Sequence, residues 1–260
     1  MFYLFIIIVI NYIRLKSQNI NYISNQLLYG KQVKLLTFNC QRLPYLFRPN
    51  VNIEYLINYY DIICLQEHFC SIFSFNKKKY YNYIHPAGSI YKIVDSGLSV
   101  YSKYKIDFIE FIRFTNLKSI DKLSDKGFLV IKIKDIYIIN THLQANYTKI
   151  EDDTTKSQLN TIINYIKLNN LEKVVISGDF NINLNQVKIP NYNISISNTP
   201  THWEKLNNSI FNLSSSEEKK DMKPCYFDGF IHKNITMSNI DIKKIDNYSD
   251  HLGLSIEIEI

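Results

Sequence analysis

Residues 33–39 read VKLLTFN, residues 52–60 read NIEYLINYY and residues 61–67 read DIICLQE. The first and last are apolar runs of strand length, each ending in a polar side chain, and the segment between them, entered after Pro49, reads as a short helix. The three together form a β-α-β opening, so a sheet with a helix on one face is the first expectation. Working outward, Leu98–Tyr101, Ile106–Ile112, Phe128–Ile133 and Ile136–Asn140 are short apolar or alternating runs separated by polar turns, which predicts adjacent strands. Between Thr154 and Asn169, Leu159, Ile162, Ile163 and Ile166 recur at i, i+3, i+4 and i+7, the buried face of an amphipathic helix.

Val174–Ser177 follows as a strand. Asn185–Pro224 is polar and rich in Asn and Ser, and reads as a long loop with a short helix after Trp203. Tyr226–His232, Ile235–Ile245 and Leu254–Ile260 close the chain as strands, the last alternating Leu254, Ile256, Ile258 and Ile260 with polar residues. No internal repeat is present.

The chain has 260 residues, 46% of them hydrophobic and 21% charged, enough apolar material for a substantial core and too much for a disordered chain. The net charge of +6 favours phosphate-bearing partners or an anionic membrane surface without choosing between them. Only Arg14, Arg42, Arg48 and Arg113 among the 30 cations can make bidentate contacts to guanine, so sequence-specific DNA reading is disfavoured. Cys40, Cys64, Cys70 and Cys225 form no CxxC pair, which argues against a zinc site or disulfide framework and for buried thiols.

Phe2–Ile10 is an unbroken apolar run, extended to Ile13 and followed by Arg14 and Lys16. It is shorter than the roughly 20 residues of a membrane span and lacks the basic start and small-residue cleavage site of a signal peptide. Residues 1–30 are therefore read as an apolar leader, a targeting or membrane-contacting segment or else a buried strand, and residues 31–260 as the functional domain.

Chemistry-bearing side chains stand at one strand end after another. Asn39 ends LLTFN, Glu67 ends IICLQE, His142 ends IINTH, Asp179 and Asn181 end VVISGDFN, and Asp250-His251 precedes the final strand. Each alone has an ordinary reading: Asn39 a turn residue, Glu67 a solvated strand end, His142 a satisfied core histidine, Gly178–Asn181 a turn, and Ser249–His251 a strand cap. Five such coincidences are improbable together, and strand ends carry such groups to a sheet rim, where loops and solvent meet a rigid scaffold.

These motifs resemble the endonuclease/exonuclease/phosphatase superfamily, and within it the neutral sphingomyelinases. The broad likeness lies in Asn39 of TFNC, Glu67 of LQE, GDFN at 178–181 and SDH at 249–251. The narrower one lies in Leu43–Leu46, in Ser96-Gly97-Leu98 running into Tyr101-Ser102-Lys103, in Lys126-Gly127-Phe128, and in THLQA at 141–145. It spans about residues 33–258 and implies a DNase I-like, four-layer α/β/β/α sandwich: two mixed sheets flanked by helices, with the site at the rim.

The resemblance also implies roles. Glu67, helped by Asn39, would anchor Mg²⁺, with Mn²⁺ able to substitute, and Asp250 would complete the metal or water shell; hard cations prefer such oxygen ligands. Asp179 and Asn181 would orient the attacking water and a phosphoryl oxygen, and His142 would bind the phosphate in the transition state. His251 matches the general acid/base histidine, and Asp228, 23 residues upstream, stands where a carboxylate orients it. Lys126, five residues after Asp121, matches a lysine that positions the catalytic aspartate, so contact with the Asp179 region is expected. Gly229 departs from the aromatic or similar residue usual after Asp228, and a glycine there should loosen the strand.

The implied activity is hydrolysis of sphingomyelin or a related choline phospholipid to phosphocholine by a monomer, membrane-associated or secreted. No room exists between His232 and Ser249 for the long hydrophobic hairpin of secreted bacterial relatives, so membrane access would fall to the leader, Leu46-Phe47 or Trp203. A metal-dependent endonuclease or abasic-site nuclease acting on DNA is the alternative, nucleic acid being the less favoured partner. A binding module with a decayed site is disfavoured by the complete residue set.

Overall fold

The computed structural model describes residues 18–20, 32–42, 53–69, 82–86, 88–89, 91–145, 149–205, 222–245 and 249–259. In chain order the strands are β1 (Gln18–Ile20), β2 (Gln32–Arg42), β3 (Ile62–His68), β4 (Asn82–His85), β5 (Ser99–Ser102), β6 (Phe108–Arg113), β7 (Gly127–Ile133) and β8 (Ile136–His142). They continue as β9 (Val174–Asp179), β10 (Asn193–Ser195), β11 (His202–Lys205), β12 (Met222–Cys225), β13 (Asp228–Lys233), β14 (Asp241–Lys243) and β15 (Gly253–Glu259). Helix α1 (Ile53–Tyr59) lies between β2 and β3, and α2 (Lys149–Leu168) between β8 and β9.

One sheet has the order β1-β4-β5-β3-β2-β15-β14 and the other β10-β13-β9-β8-β7-β6, with β11 and β12 a separate antiparallel pair. Each large sheet is antiparallel except for one parallel neighbour pair, β2 with β3 and β8 with β9. A parallel pair needs a crossover, and α1 and α2 supply the two.

The long apolar runs are explained by burial on both faces of each sheet. Leu35, Ile62, Cys64 and Val100 of the first sheet meet Leu129, Ile131, Ile138 and Val175 of the second in the central core. On the outer face of the first sheet, Leu36, Phe38, Ile63 and Leu65 pack with Leu56 and Tyr60 at α1. On the other side, Leu159, Ile162, Ile163 and Ile166 of α2 cover Phe128, Val130, Ile139, Val174 and Ile176. Full burial of each such side chain contributes about 1.5–3 kcal/mol. The result is the expected α/β/β/α sandwich.

Differences from the sequence reading lie where patterning is weak. Asn185–Pro224 carries β10, β11 and most of β12, three- and four-residue strands too short to alternate visibly, and Trp203–Lys205 is strand; residues 206–221 lie outside the described set. Of Ile235–Ile245 only β14 is strand; Ile235, Met237 and Ile240 supply the apolar pattern by packing on the core. Within the leader, Gln18–Ile20 pairs antiparallel with β4, another strand the sequence did not announce, while residues 1–17 and 21–31 lie outside the described set. So do Leu46-Phe47 and Cys70; Cys40, Cys64 and Cys225 are buried. No described helix is long and apolar enough to cross a membrane.

Two glycines sit at close approaches, Gly178 of β9 against β8 and Gly229 of β13 against β10 and Leu184. Gly178 has φ +149°, and a Cβ there would stand 2.0 Å from the Thr141 carbonyl oxygen. Opposite it in register is Gly229, where a Cβ would come within 2.6 Å of Leu184 Cδ1. The glycine after Asp228 thus sits in a closely packed place, with the Ser195 carbonyl oxygen 3.0 Å from where a Cβ would stand, rather than in a loosened strand.

Candidate active site

Both crossovers run the same way, so β2, β3, β8 and β9 deliver Asn39, Glu67, His142 and Asp179 from their C-terminal ends to one rim, where crevices of open sheets bind ligands. Register sets the rest: His142 pairs with Asp179 across β8 and β9, and Asp228 pairs with Asp179 across β13 and β9. The two sheets are tied together at this rim by Asn39, whose Nδ2 donates to Asp179 Oδ2 at 2.9 Å and to Glu67 Oε1 at 3.3 Å.

Asp179 is the hub. Its Oδ1 accepts the Asn181 backbone N–H at 2.9 Å, and its Oδ2 lies 3.6 Å from His142 Nε2 and 3.7 Å from His251 Nε2. Burial pushes its carboxyl up, and neighbouring Asp228 adds to this against the pull of His251. His251 shares a 2.8 Å hydrogen bond from Nδ1 with Asp228 Oδ2. Burial opposes its charge, but Asp228, Asp179 and Asp250 outweigh that and hold it well above the ordinary histidine value. His142 is driven well below that value by burial, reinforced by Lys126 and His251. On either side of a single Asp179 oxygen stand one imidazole that neighbouring carboxylates bias toward its charged form and one that burial biases toward its neutral form.

Backbone detail secures the histidine. Ser249 Oγ donates to the Asn39 carbonyl at 2.7 Å and accepts the His251 N–H at 3.1 Å, so the SDH turn is pinned to the end of β2. Asn181 donates from Nδ2 to the Leu143 carbonyl at 3.2 Å. Lys126 reaches the same carbonyl at 2.8 Å while pairing with Asp121 at 2.8 Å, and the Leu143 N–H donates to the Asp179 carbonyl. Lys126 therefore meets the Asp179 region through Leu143, not at the carboxylate.

Thr199–Trp203 resembles a loop that members of the superfamily place near the substrate, and the structure brings its His202 to the site. The His202 ring stacks on His251 at 4.4 Å and on Phe227 at 5.6 Å, and its Nδ1 lies 3.8 Å from Asp250 Oδ2.

A divalent cation fits this rim. Glu67 takes the left-handed φ of +51°, and burial, with Asp250 as second cause, pushes its carboxyl up; a cation there would relieve both. Donor atoms of His202, Asp250 and His251 lie within 4.8 Å of one another, as do those of Asp179, Asp228 and His251. The second group is already closed by the 2.8 Å His251–Asp228 bond, and Asn39 turns its Nδ2 to Glu67 and Asp179 and its Oδ1 to the Gln41 N–H, which leaves the carboxylates of Glu67 and Asp250 to offer oxygens to a hard ion.

A two-sheet sandwich with acid, amide and imidazole groups converging at its rim defines the class of phosphoester-cleaving enzymes. Residues 36–204 match the Endonuclease/Exonuclease/phosphatase family, and the chain belongs to it. Among curated proteins, it is 30% identical over 172 residues to a sphingomyelinase of Dictyostelium discoideum, covering 48% of this chain and 37% of that one. It is 34% identical over 129 residues to sphingomyelinase C of Bacillus cereus, covering 45% and 37%. The chain thus matches little more than a third of the length of these relatives. Among solved structures, beta toxin of Staphylococcus aureus superposes with TM-score 0.62 at 20% identity, covering 86% of this chain and 99% of that one. A mutant of that toxin was solved with bound magnesium ions at TM-score 0.56 and 17% identity, covering 86% and 99%. D. rerio TDP2 complexed with single strand DNA product superposes with TM-score 0.65 at 14% identity, covering 89% and 100%.

Proposed function

We propose that this chain is a Mg²⁺-dependent phosphodiesterase that hydrolyses sphingomyelin or a related choline phospholipid, releasing phosphocholine. The observation that carries the chemistry is Asp179 Oδ2 held between Asn39, His142 and His251, with Asp228 bonded behind His251. The curated sphingomyelinase relatives support the lipid assignment.

Hydrolysis needs an oriented water, a place for charge on the phosphoryl oxygens, and a proton for the leaving alkoxide. Glu67 and Asp250, with Asn39 bonded to Glu67, would hold the metal, which supplies Lewis-acid stabilisation of phosphoryl charge when bound. Asp179 orients the water, with Asn181 next to it to hold a phosphoryl oxygen. His142, kept neutral by burial and by Lys126, binds the phosphate as a hydrogen-bond donor. His251 holds and moves the proton at Nε2, its tautomer fixed at Nδ1 by Asp228. Lys126 acts by positioning Leu143, the carbonyl it shares with Asn181.

The DNA-bound neighbour favours a second reading, a metal-dependent nuclease with the same residues. The test is release of choline-labelled phosphocholine from sphingomyelin mixed micelles, with Mg²⁺ against EDTA, for the parent and Asp179→Ala, alongside plasmid nicking. Mg²⁺-dependent release lost in Asp179→Ala is expected; nicking without lipid turnover would replace the lipid reading with the nuclease one.

A further inference from the structure

Eight large apolar side chains are exposed among the described residues, and four of them, Tyr91, Ile93, Ile120 and Leu123, lie on two touching segments at 87%, 61%, 65% and 46% exposure. The Ile93 and Val94 N–H groups donate to the Leu123 carbonyl at 2.8 and 3.2 Å, and Lys92 Nζ donates to the Lys122 carbonyl at 2.8 Å. Residues Ser119–Leu123 form one turn of 3-10 helix, where positions i and i+3 are eclipsed, so Ile120 and Leu123 share a side.

The charge around them has one sign. Lys92, Lys118 and Lys122 flank the apolar side chains, while the acid of this stretch, Asp121, is buried, with its Oδ2 bonded to Lys126 and to the Ala145 N–H. The outward surface is therefore apolar at its centre and basic at its margin. That combination matches a phospholipid interface, with acyl chains below and anionic head groups beside the lysines, and tyrosine is at home at that depth.

The patch also adjoins the cleft on both sides. From Val94 the chain continues to Gly97, whose carbonyl accepts the His68 N–H at 2.8 Å and where a Cβ would stand 3.2 Å from the Glu67 Cα. From Leu123 it continues to Lys126, bonded to the carbonyl shared with Asn181. A bilayer touching the patch would lie beside the site that is to receive a lipid head group.

We propose that Tyr91, Ile93, Ile120 and Leu123, with Lys92, Lys118 and Lys122, form a docking surface for an anionic phospholipid bilayer. Its purpose rests on the phospholipid reading of the site, but binding is measured separately from turnover. The test compares the full chain with Ile93→Ser/Ile120→Ser and Lys92→Glu/Lys122→Glu. Readouts are co-sedimentation with vesicles of phosphatidylcholine with and without phosphatidylserine, and hydrolysis of the soluble diester bis(p-nitrophenyl) phosphate. The isoleucine variant is expected to lose vesicle binding by about tenfold or more. The lysine variant is expected to lose the preference for phosphatidylserine, and both to keep soluble-diester turnover and melting temperature. Unchanged vesicle binding in the isoleucine variant, or no binding by the parent, would overturn the proposal. So would a parent dimer that the isoleucine variant dissociates, since a second copy would then cover the patch. Vesicle binding without lipid turnover would leave the docking surface standing and remove the lipid-hydrolysis reading.

Discussion

Asp228 has no role in touching substrate, yet its 2.8 Å bond holds a proton on His251 Nδ1, favours the charged ring and leaves Nε2 facing the cleft. An amide in its place carries no charge to stabilise the imidazolium and can offer its N–H to Nδ1, so His251 loses the protonated form that gives the leaving alkoxide its proton from Nε2. Asp228→Asn should therefore lower kcat on the order of 10²–10⁴-fold with KM little changed, as steady-state kinetics on a soluble diester would show. An equal rise in KM with kcat intact would instead make Asp228 a binding residue. At this scale Asn39, Glu67, His142 and Asp179 were legible because each follows an apolar run that had to be a buried strand, so its end had to be a rim, and His251 because its SDH turn leads into such a strand. For His202 only the neighbourhood was legible, through the Thr199–Trp203 loop; its stacking on His251, 49 positions away in sequence, was not, because a polar loop carries no pattern to report it.

Among the elements, β8 does more than fill the second sheet. Asn140, fully buried, donates from Nδ2 to the carbonyls of Leu65 and Ser99 in the opposite sheet at 3.0 and 3.1 Å, and accepts Gln66 Nε2 at 2.7 Å. An apolar interface between sheets fixes area but not register; these three bonds fix which residue of β8 faces which of β3 and β5, one turn of the pleat below Glu67 and His142. Asn140→Ala strands those partners in the core and should cost about 2–4 kcal/mol, seen as a lower urea midpoint with unchanged slope. Loss of less than about 1 kcal/mol would mean that the sheets hold their register by packing alone. Strands buried on both faces were legible from their apolar runs, and α2 from its 3.6-residue period. β4, β10 and β11 were not, because three or four residues at a sheet margin need no apolar alternation, and their pairing partner supplies the order.

The whole molecule concentrates like charge where its two sheets meet. Glu67, Asp179, Asp228 and Asp250 converge from β3, β9, β13 and the turn before β15, with His251 as the cation bonded among them. Carboxylates brought together away from water repel one another, so the folded chain is less stable than its packing alone would make it, and a divalent ion that binds only the folded state recovers the difference. At Mg²⁺ about 100-fold above its dissociation constant the gain is about 2.7 kcal/mol, and for a chain of this size each kcal/mol moves Tm by about 2–4 °C. Mg²⁺ should therefore raise Tm by several degrees over EDTA. Glu67→Gln removes one repelling charge and one metal ligand together, so the same substitution should raise Tm in EDTA and flatten the Mg²⁺ response. A stabilised protein that still answers fully to Mg²⁺ would move the ion away from Glu67, and a destabilised one would show that Glu67 serves the fold rather than the metal. The opposite signs expected with and without the ion separate a residue kept for chemistry from one kept for packing.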